Sequence, residues 1–202
     1  MQCDEESLIR QIRNHYIMYH KDNDPFSVQV LTTTKKDKIN GCNAINKKIQ
    51  AEVNPNRKGG VRYGDTVFYV GDKVMMMRNN YEIGYFNGDV GLIKSTSPKE
   101  IVVEINGEDI TVPTSLLEDM SLAYACTIHK SQGSEYGVVI VNLPPRPHSM
   151  LQRNILYTAI TRAKKRVILI STEKTISTCC TTISSTQRET YLCERLQESY
   201  RR

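Results

Sequence analysis

The sequence predicts an α/β fold, in which a parallel β-sheet with flanking helices carries a small inserted β-barrel. Helical periodicity alternates with three short apolar runs, at residues 28–31, 138–141 and 167–170. Such strand, helix, strand repeats build parallel sheets. Residues 66–112 contain five short β-rich runs and no helical pattern, which is typical of a small barrel. We therefore expect residues 1–54 and 120–202 to form the α/β domain and residues 55–119 to form the insert.

The composition allows one packed domain with an insertion. The chain has 202 residues, is 39% hydrophobic and carries a net charge of +5, which permits nucleic-acid binding without requiring it because surface solubility alone can produce that charge. No apolar run approaches the roughly 18 residues of a membrane helix, and the N-terminus has no signal-peptide pattern. The six cysteines form no CxxC pair and lack a His at metal-ligand spacing, so we expect no metal site and a reduced, cytoplasmic protein.

Helices are predicted around the sheet from apolar residues at helical spacing. The expected segments are residues 4–20, residues 41–53 with Asn40 as the N-cap, and residues 153–163, followed by a helix near the C-terminus.

The insert is predicted to contain five strands, of which two pairs are joined by tight turns. Asn106-Gly107 between alternating runs is a strong hairpin signal, and Asn87-Gly88 is a second turn candidate. The expected strands are residues 66–70, 73–78, 89–95, 100–105 and 108–112.

The centre of the α/β domain is a polar loop between two apolar runs, residues 122–127 and 138–141, which we expect to be buried strands. A solvated connection does not need so many consecutive donors, which suit a phosphate chain or a nucleic-acid backbone better. The polar loop residues are Thr127, His129, Lys130, Ser131, Gln132, Gly133, Ser134 and Glu135. A second group of hydroxyls and cations, at residues 32–36, follows the first strand. For this group, contact with phosphates and a solvated turn are equally supported.

Four blocks of the sequence resemble motifs of superfamily 1 DNA helicases, in the same order. TIHKSQGSE, residues 127–135, looks like the fifth helicase motif, and LYTAITRAKKRVILI, residues 156–170, looks like the sixth. VGDKVMMMRNNYEIGYFNGDVGLI, residues 70–93, is similar to a segment of the RecD-like branch, which includes the alpha subunit of exodeoxyribonuclease V. QVLTTTKKDKINGCNAIN, residues 29–46, resembles the fourth motif. The chain is thus similar to the C-terminal part of a RecD-like helicase.

The resemblance implies a RecA-like sheet, an insert of the Src-homology-three kind that lines a single-strand channel, and roles for individual residues. Arg162 would be the arginine finger that reaches the γ-phosphate of ATP, although a basic residue after a helix can also serve only to complement the helix dipole. Nucleotide contacts would come from Gln132, Gly133, Glu135 and Lys36. DNA contacts would come from Thr32, Thr127, His129, Lys130, Ser131, Lys73, Arg78, Asn79, Asn80 and Tyr81.

The sequence contains no GxxxxGK[ST] P-loop and no acidic strand end that could hold magnesium. ATP with Mg²⁺ would therefore be bound mainly by an N-terminal RecA-like domain of the same protein, and this chain alone would be inactive. The resemblance also implies single-stranded DNA as a partner, 5′ to 3′ movement, no membrane, and other subunits where the protein works in a nuclease complex. Two alternatives remain: a non-catalytic module that binds single-stranded nucleic acid, and a degenerate scaffold subunit.

Overall fold

The computed structural model describes residues 5–20, 24–35, 37, 40–145, 151–182 and 197. Lys36 and the helix expected near the C-terminus lie outside these residues, apart from position 197. The α-helices of the described ranges are α1 (Glu5–Tyr19), α2 (Cys42–Val53), α3 (Arg153–Ile160) and α4 (Glu173–Thr181). The strands are β1 (Val28–Thr32), β2 (Gly60–Tyr63), β3 (Thr66–Tyr69), β4 (Lys73–Met76), β5 (Val90–Thr96), β6 (Glu100–Ile105), β7 (Glu108–Pro113), β8 (Met120–Leu122), β9 (Ala125–Thr127), β10 (Tyr136–Asn142) and β11 (Ala163–Ile170). None of these helices is long and apolar enough to cross a membrane.

The parallel sheet has the strand order β11-β10-β1-β9, and helices cover both of its faces. Alternate residues of a strand point to opposite faces, so Val28 and Val30 pack into the cluster that contains the core residues of α1 and α2. Leu31 and Val139 pack into the cluster that contains the core residues of α3 and α4. The expected sheet with flanking helices is therefore confirmed.

The insert is built on a five-stranded antiparallel sheet in the order β7-β6-β5-β4-β8, beside the hairpin β2-β3. All five expected strands form, each within a few residues of the expected bounds, and β2 and β8 are additional. The turn between β6 and β7 has Asn106 at φ +53° and Gly107 at φ +86°, the positive angles that a two-residue type I′ turn requires. This architecture confirms the small barrel expected in the insert.

Residues 122–127 do not form the single strand that was expected. β8 ends at Leu122 in the antiparallel sheet, and β9 begins at Ala125 in the parallel sheet. The buried Asn46 side chain holds the break, because its amide donates to the carbonyls of Leu122 (3.1 Å) and Ala125 (2.9 Å) and accepts from the Ala125 N–H (2.7 Å). Both halves are buried, so the apolar run gave no sign of the change of sheet. The antiparallel sheet consequently extends past residue 119.

Two expected helix ends are also wrong. Gly41, not Asn40, is the N-cap residue of α2, and no side chain caps that end. α3 ends at Ile160, and β11 already begins at Ala163, where it pairs with Tyr136. The apolar Ala163 fits either a helix or a strand, and tertiary pairing decides for the strand. Arg162 therefore lies in the turn between α3 and β11.

Candidate functional site

The central loop, residues 128–135, connects opposite ends of the parallel sheet. Thr127 lies beside Thr32 at the carboxyl end of the strands, whereas Tyr136 lies opposite Ala163 at the amino end. The polar loop that the sequence presents as one group is therefore divided between the two ends of the sheet. The expected site residues thus divide into two groups. The amino-end group is Arg162, Gln132, Gly133 and Glu135, and the carboxyl-end group is Thr32, Thr127, His129, Lys130 and Ser131.

At the amino end, Arg162 is held by three hydrogen bonds from its guanidinium group. Nε donates to the carbonyl of Thr158 (3.1 Å), Nη1 to the carbonyl of Ser134 (3.3 Å) and Nη2 to Oγ1 of Thr161 (3.2 Å). The partly buried side chain is thereby fixed between the last turn of α3 and the central loop. A guanidinium has five N–H donors, so among the described residues one N–H on each Nη has no partner and can donate to an anion such as phosphate.

The loop residues beside Arg162 are exposed. Gly133 adopts φ +87°, a left-handed conformation that favours glycine, and Gln132 precedes it with an exposed side chain. Glu135 forms an ion pair with Lys164 (3.2 Å), in which both side chains are more than half exposed. Such a pair contributes no more than about 1 kcal/mol, so the Glu135 carboxylate can exchange its partner at little cost.

At the carboxyl end, Thr127 is partly exposed and precedes a short 3-10 turn, Ile128–Ser131, on which His129 and Lys130 are exposed. Burial lowers the pKa of Lys130, and the nearby Lys35 acts in the same direction. This end therefore presents hydroxyl, imidazole and ammonium groups to solvent.

Two residues of the carboxyl-end group do not reach the surface, contrary to the expectation of DNA contact. Thr32 is fully buried, and its hydroxyl donates to the carbonyl of Asn40 (3.2 Å). Ser131 is also fully buried, with its hydroxyl donating to the carbonyl of Ile128 (2.7 Å). Their hydroxyls satisfy local backbone groups, as Ser and Thr side chains commonly do in turns.

Lys73 was expected to contact DNA from the barrel, but its side chain is only 1% exposed. Its ammonium group donates to the carbonyl of Val28 (3.2 Å) and to Oε1 of Gln29 (3.1 Å), both in β1. Burial lowers the pKa of Lys73 to about 8, against opposing effects of Cys126 and Asp24. Lys73 therefore ties strand β4 of the barrel to the parallel sheet and cannot reach DNA in this structure.

The other expected DNA contacts on the barrel differ in how far their side chains are already bonded within the chain. Arg78 is exposed but pairs with Glu118 (2.7 Å) and Asp119 (3.4 Å). Asn80 shapes its own turn, because its side-chain oxygen accepts the N–H groups of the second and third residues after it. Tyr81 is 78% exposed and makes an edge-to-face contact with Phe86 at 5.8 Å between ring centroids.

Asn79 combines a structural bond with exposure. Its side-chain oxygen accepts the N–H of Asn87 (2.8 Å), while the residue as a whole is exposed. Tyr81 and Phe86 together form an exposed aromatic pair, of which the sequence analysis singled out only Tyr81.

The sequence gives no indication of the buried polar side chains around Asp72, where the barrel meets the parallel sheet. Asp72 accepts hydrogen bonds from Asn54 Nδ2 (3.0 Å), the Tyr124 hydroxyl (3.0 Å) and the Tyr69 N–H (2.8 Å), and it also contacts Gln50. These residues carry no pattern that separates them from surface polar residues. Their partners lie up to 52 residues away in the chain, so only the folded structure brings them together.

Two family models match the chain, and together they cover both of its parts. The UvrD-like helicase C-terminal domain matches residues 122–170. The SH3 domain of ATP-dependent RecD-like DNA helicases matches residues 45–106.

Among curated relatives, the chain is 35% identical over 150 residues to the ATP-dependent RecD2 DNA helicase of Deinococcus radiodurans, covering 74% of this chain and 21% of that protein. It is 26% identical over 172 residues to the RecBCD enzyme subunit RecD of Buchnera aphidicola, covering 84% of this chain and 27% of that protein. The chain thus spans about a quarter of the length of these relatives or less.

Solved structures share the fold at low sequence identity. The Pif1 helicase of Candida albicans is 12% identical, with a TM-score of 0.55, 98% of this chain covered and 59% of that chain. A Bacteroides Pif1 helicase in complex with ADP-AlF3 and single-stranded DNA is 18% identical, with a TM-score of 0.50, 97% of this chain covered and 54% of that chain. Together with the family models and the relatives, this fold shows that the chain belongs to the RecD-like superfamily 1 DNA helicases, where it corresponds to the C-terminal region.

Proposed function

We propose that this chain is the C-terminal motor lobe of an ATP-dependent DNA helicase or translocase, which supplies an arginine finger and contacts to single-stranded DNA. The observation that carries the proposal is the Arg162 side chain. Three hydrogen bonds fix it at the amino end of the parallel sheet, and within the described part of the chain one N–H donor on each Nη has no partner. A residue that only complemented the dipole of α3 would bond the last carbonyls of that helix, as Nε does to Thr158, whereas the Nη1 bond to Ser134 ties the guanidinium to the central loop.

In the nucleotide part of the proposal, Arg162 binds the γ-phosphate of an ATP held by an N-terminal RecA-like lobe. The guanidinium stabilises the charge that spreads over the γ-phosphoryl oxygens in the transition state. Gln132 and Gly133 lie toward the phosphates, and Glu135 faces the ribose after leaving Lys164. Lys36 remains a proposed nucleotide contact by resemblance.

Magnesium is assigned to the other lobe. In the described part of the chain, no three His, Cys, Asp or Glu side chains form a group that could hold a metal ion, whereas Mg²⁺ in such motors is held by a P-loop hydroxyl and an acidic strand end. When bound there, ATP with Mg²⁺ supplies the phosphoryl group and neutralises its charge. The residues of this chain contribute the arginine and the loop beside it.

In the DNA part of the proposal, the strand contacts the carboxyl end of the parallel sheet and the exposed face of the barrel. Thr127, His129 and Lys130 provide donors at the sheet end, while Arg78, Asn79 and Tyr81 lie on the barrel. Contacts of this kind go to phosphates and to base faces, so binding is tolerant of sequence and sensitive to salt. The direction of movement, 5′ to 3′, is proposed from the family resemblance.

A second candidate is a binding module without ATP chemistry, which the exposed lysines of the sheet end also support. The motor lobe and the binding module would both bind DNA, so ATP turnover separates these two candidates.

Partners are a separate proposal. One relative is named as a subunit of the RecBCD enzyme, which motivates the proposal that this chain works with subunits of a nuclease complex.

The experiment has two stages. First, the isolated chain should bind single-stranded DNA weakly, with affinity that falls as salt rises, and should release no phosphate from ATP. Second, a chimera that carries this chain in place of the matching segment of the Deinococcus radiodurans helicase should hydrolyse ATP when DNA is added. An isolated chain with ordinary helicase turnover would contradict the motor-lobe assignment. A chimera that binds DNA but lacks turnover, beside an active parent helicase, would favour the binding module.

A further inference from the structure

Positive charge is concentrated in one short stretch of the chain to which the proposed function assigns no role. Residues 47–62 contain five Lys or Arg residues and one acidic residue, a net charge of +4, whereas the whole chain of 202 residues has a net charge of only +5. All five cationic residues are exposed. We call them the basic strip, which consists of Lys47, Lys48, Arg57, Lys58 and Arg62.

The parts of the basic strip are held together by bonds between α2 and the hairpin β2-β3. Gln50 of α2 donates to the carbonyl of Val67 in β3 (2.9 Å), and Val67 lies opposite Arg62 in the register of the hairpin. Between the helix and the hairpin, Arg57 donates from Nε to the carbonyl of Asn54 (3.3 Å), which is the C-cap residue of α2. The cations of the helix, of the connection and of the hairpin therefore keep a fixed arrangement relative to one another.

The charge of the basic strip is not neutralised within the described part of the chain. Glu52 is the acidic residue of the stretch, and it pairs with Arg13 of α1 (3.2 Å). Among the described residues, no carboxylate lies within ion-pair distance of any cation of the strip. Like charges on one surface repel each other, so a polyanion that binds there relieves the repulsion and releases counterions.

We propose that the basic strip binds the phosphate backbone of double-stranded DNA. This surface is additional to the single-strand contacts of the proposed function. Surfaces for single strands combine cations with aromatic rings on which unpaired bases stack, but residues 47–62 contain no aromatic residue. A surface with cations alone suits a duplex, which keeps its bases paired and presents its phosphates.

The position of the strip is compatible with the motor function. The core residues of α2 pack into the cluster on one face of the parallel sheet, and those of α3 pack into the cluster on the other face. A duplex that lies along α2 therefore does not cover the helix that leads to Arg162. The proposed motor lobe could hold a duplex on the strip while its single-strand contacts and its arginine are also engaged.

The test measures the binding of the 202-residue chain to a blunt-ended duplex and to oligo-dT by fluorescence anisotropy at several salt concentrations. The double change Lys47→Ala and Lys48→Ala should weaken duplex binding about tenfold and reduce the slope of log affinity against log salt by about two, since two phosphate contacts are lost. Binding of oligo-dT should change less than about twofold. Alanine favours a helix, so this variant should melt like wild type.

A matched control removes the same charge from another part of the chain. Lys94 and Lys99 are also exposed lysines, at β5 and just before β6. The double change Lys94→Ala and Lys99→Ala should alter duplex binding less than about twofold. Poly-glutamate serves as a competitor that carries charge without the geometry of DNA.

Each outcome supports the inference or overturns it. A variant at Lys47 and Lys48 that binds duplex like wild type would overturn it, and so would equal losses for duplex and oligo-dT, because the strip would then belong to the single-strand surface. Displacement of the duplex by poly-glutamate at equal charge concentration would assign the strip to an acidic protein surface instead. Wild type that binds oligo-dT but no duplex would overturn the strip and leave the proposed function intact, whereas binding of neither would count against both.

Discussion

The two ends of the parallel sheet use cations in different ways. At the amino end, the Arg162 guanidinium is anchored by two backbone carbonyls and one hydroxyl. At the carboxyl end, Lys35 and Lys130 have no carboxylate partner within the described residues. A fixed guanidinium suits one reaction geometry, whereas free ammonium groups suit a chain of phosphates that slides past. Under the proposed function, positioning would belong to the amino end and tolerant binding to the carboxyl end.

The barrel shows a third use of positive charge. Lys73 is buried and bonded to β1, and Arg78 is held by two acidic side chains. Both residues stabilise the chain's own structure first. Lys73 and Arg78 therefore serve as controls for the cations at the two ends of the sheet. Substitution of either residue should affect folding more than DNA binding.

The largest expected effect is that of Arg162 on turnover. In the active chimera, Arg162→Ala should lower ATP turnover on the order of a thousandfold, because transition-state charge on the γ-phosphoryl group loses its partner. Arg162→Lys should restore little, since an ammonium group cannot make the two-pronged contact. Steady-state phosphate release measures both variants, with thermal melting as the control for folding. Normal turnover per folded molecule would show that the amino end has no catalytic part.

Lys73 should affect stability in a pH-dependent way. Its pKa in the folded chain is about 8, below the ordinary value of 10.5. Between these values the unfolded chain binds more protons, so stability from this group rises with pH. Between about pH 7 and pH 9.5, the free energy of unfolding of wild type should therefore rise by about 2 kcal/mol relative to that of the Lys73→Met variant.

Chemical denaturation of both proteins across that pH range measures this difference. Burial raises the pKa of Cys42 and of Cys126 to about 12, which lowers stability above about pH 9 in both proteins. Since Cys126 and Lys73 also shift each other's pKa, the difference between the two proteins reports on Lys73 together with its interaction with Cys126. A difference that stays constant with pH would mean that the buried ammonium keeps an ordinary pKa and stays charged in the folded chain across this range.

The carboxyl-end lysines should affect DNA binding and its salt dependence. The double change Lys35→Ala and Lys130→Ala should weaken binding of single-stranded DNA about tenfold and reduce the slope of log affinity against log salt by about one to two, since each lost phosphate contact releases fewer counterions. Anisotropy titrations at several salt concentrations measure both quantities. An unchanged slope would place the phosphate contacts elsewhere.

The smallest effect is expected for Arg78. Arg78→Ala should change affinity for single-stranded DNA less than threefold, because Glu118 and Asp119 already hold the guanidinium, and exposed pairs contribute less than about 1 kcal/mol to stability. The same titrations and a thermal melt test this. A loss as large as that of the lysine pair would show that the barrel, and not the sheet end, carries the main DNA surface.

The sequence predicts best where local chemistry decides the structure. The strands on either side of Asn106-Gly107 are correct to within one residue, because the turn requires positive φ at both positions and few other dipeptides supply it. The sequence fails where distant partners decide. Nothing local distinguishes Lys73, which is buried, from Lys35, which is exposed. Likewise, the break at residues 123–124 depends on Asn46, which is distant in the chain.

The candidate site follows the same rule. Motif resemblance identifies Arg162 and the central loop, but not that the loop connects opposite ends of the sheet. That separation depends on the register of β1, β9 and β10, which is set by packing on both faces. The carbonyls that hold Arg162 belong to Thr158 and Ser134, and backbone acceptors leave no signal in a sequence.

The most direct test of the division between the two ends measures two quantities on the same chimera: ATP turnover at saturating single-stranded DNA, and the DNA concentration that gives half-maximal turnover. Arg162→Ala should abolish most of the turnover, while its DNA binding measured by anisotropy stays unchanged. The double change at Lys35 and Lys130 should raise the half-maximal DNA concentration about tenfold and leave saturated turnover unchanged. The account would be contradicted if both variants lowered the same quantity, because the two ends would then not have separate functions.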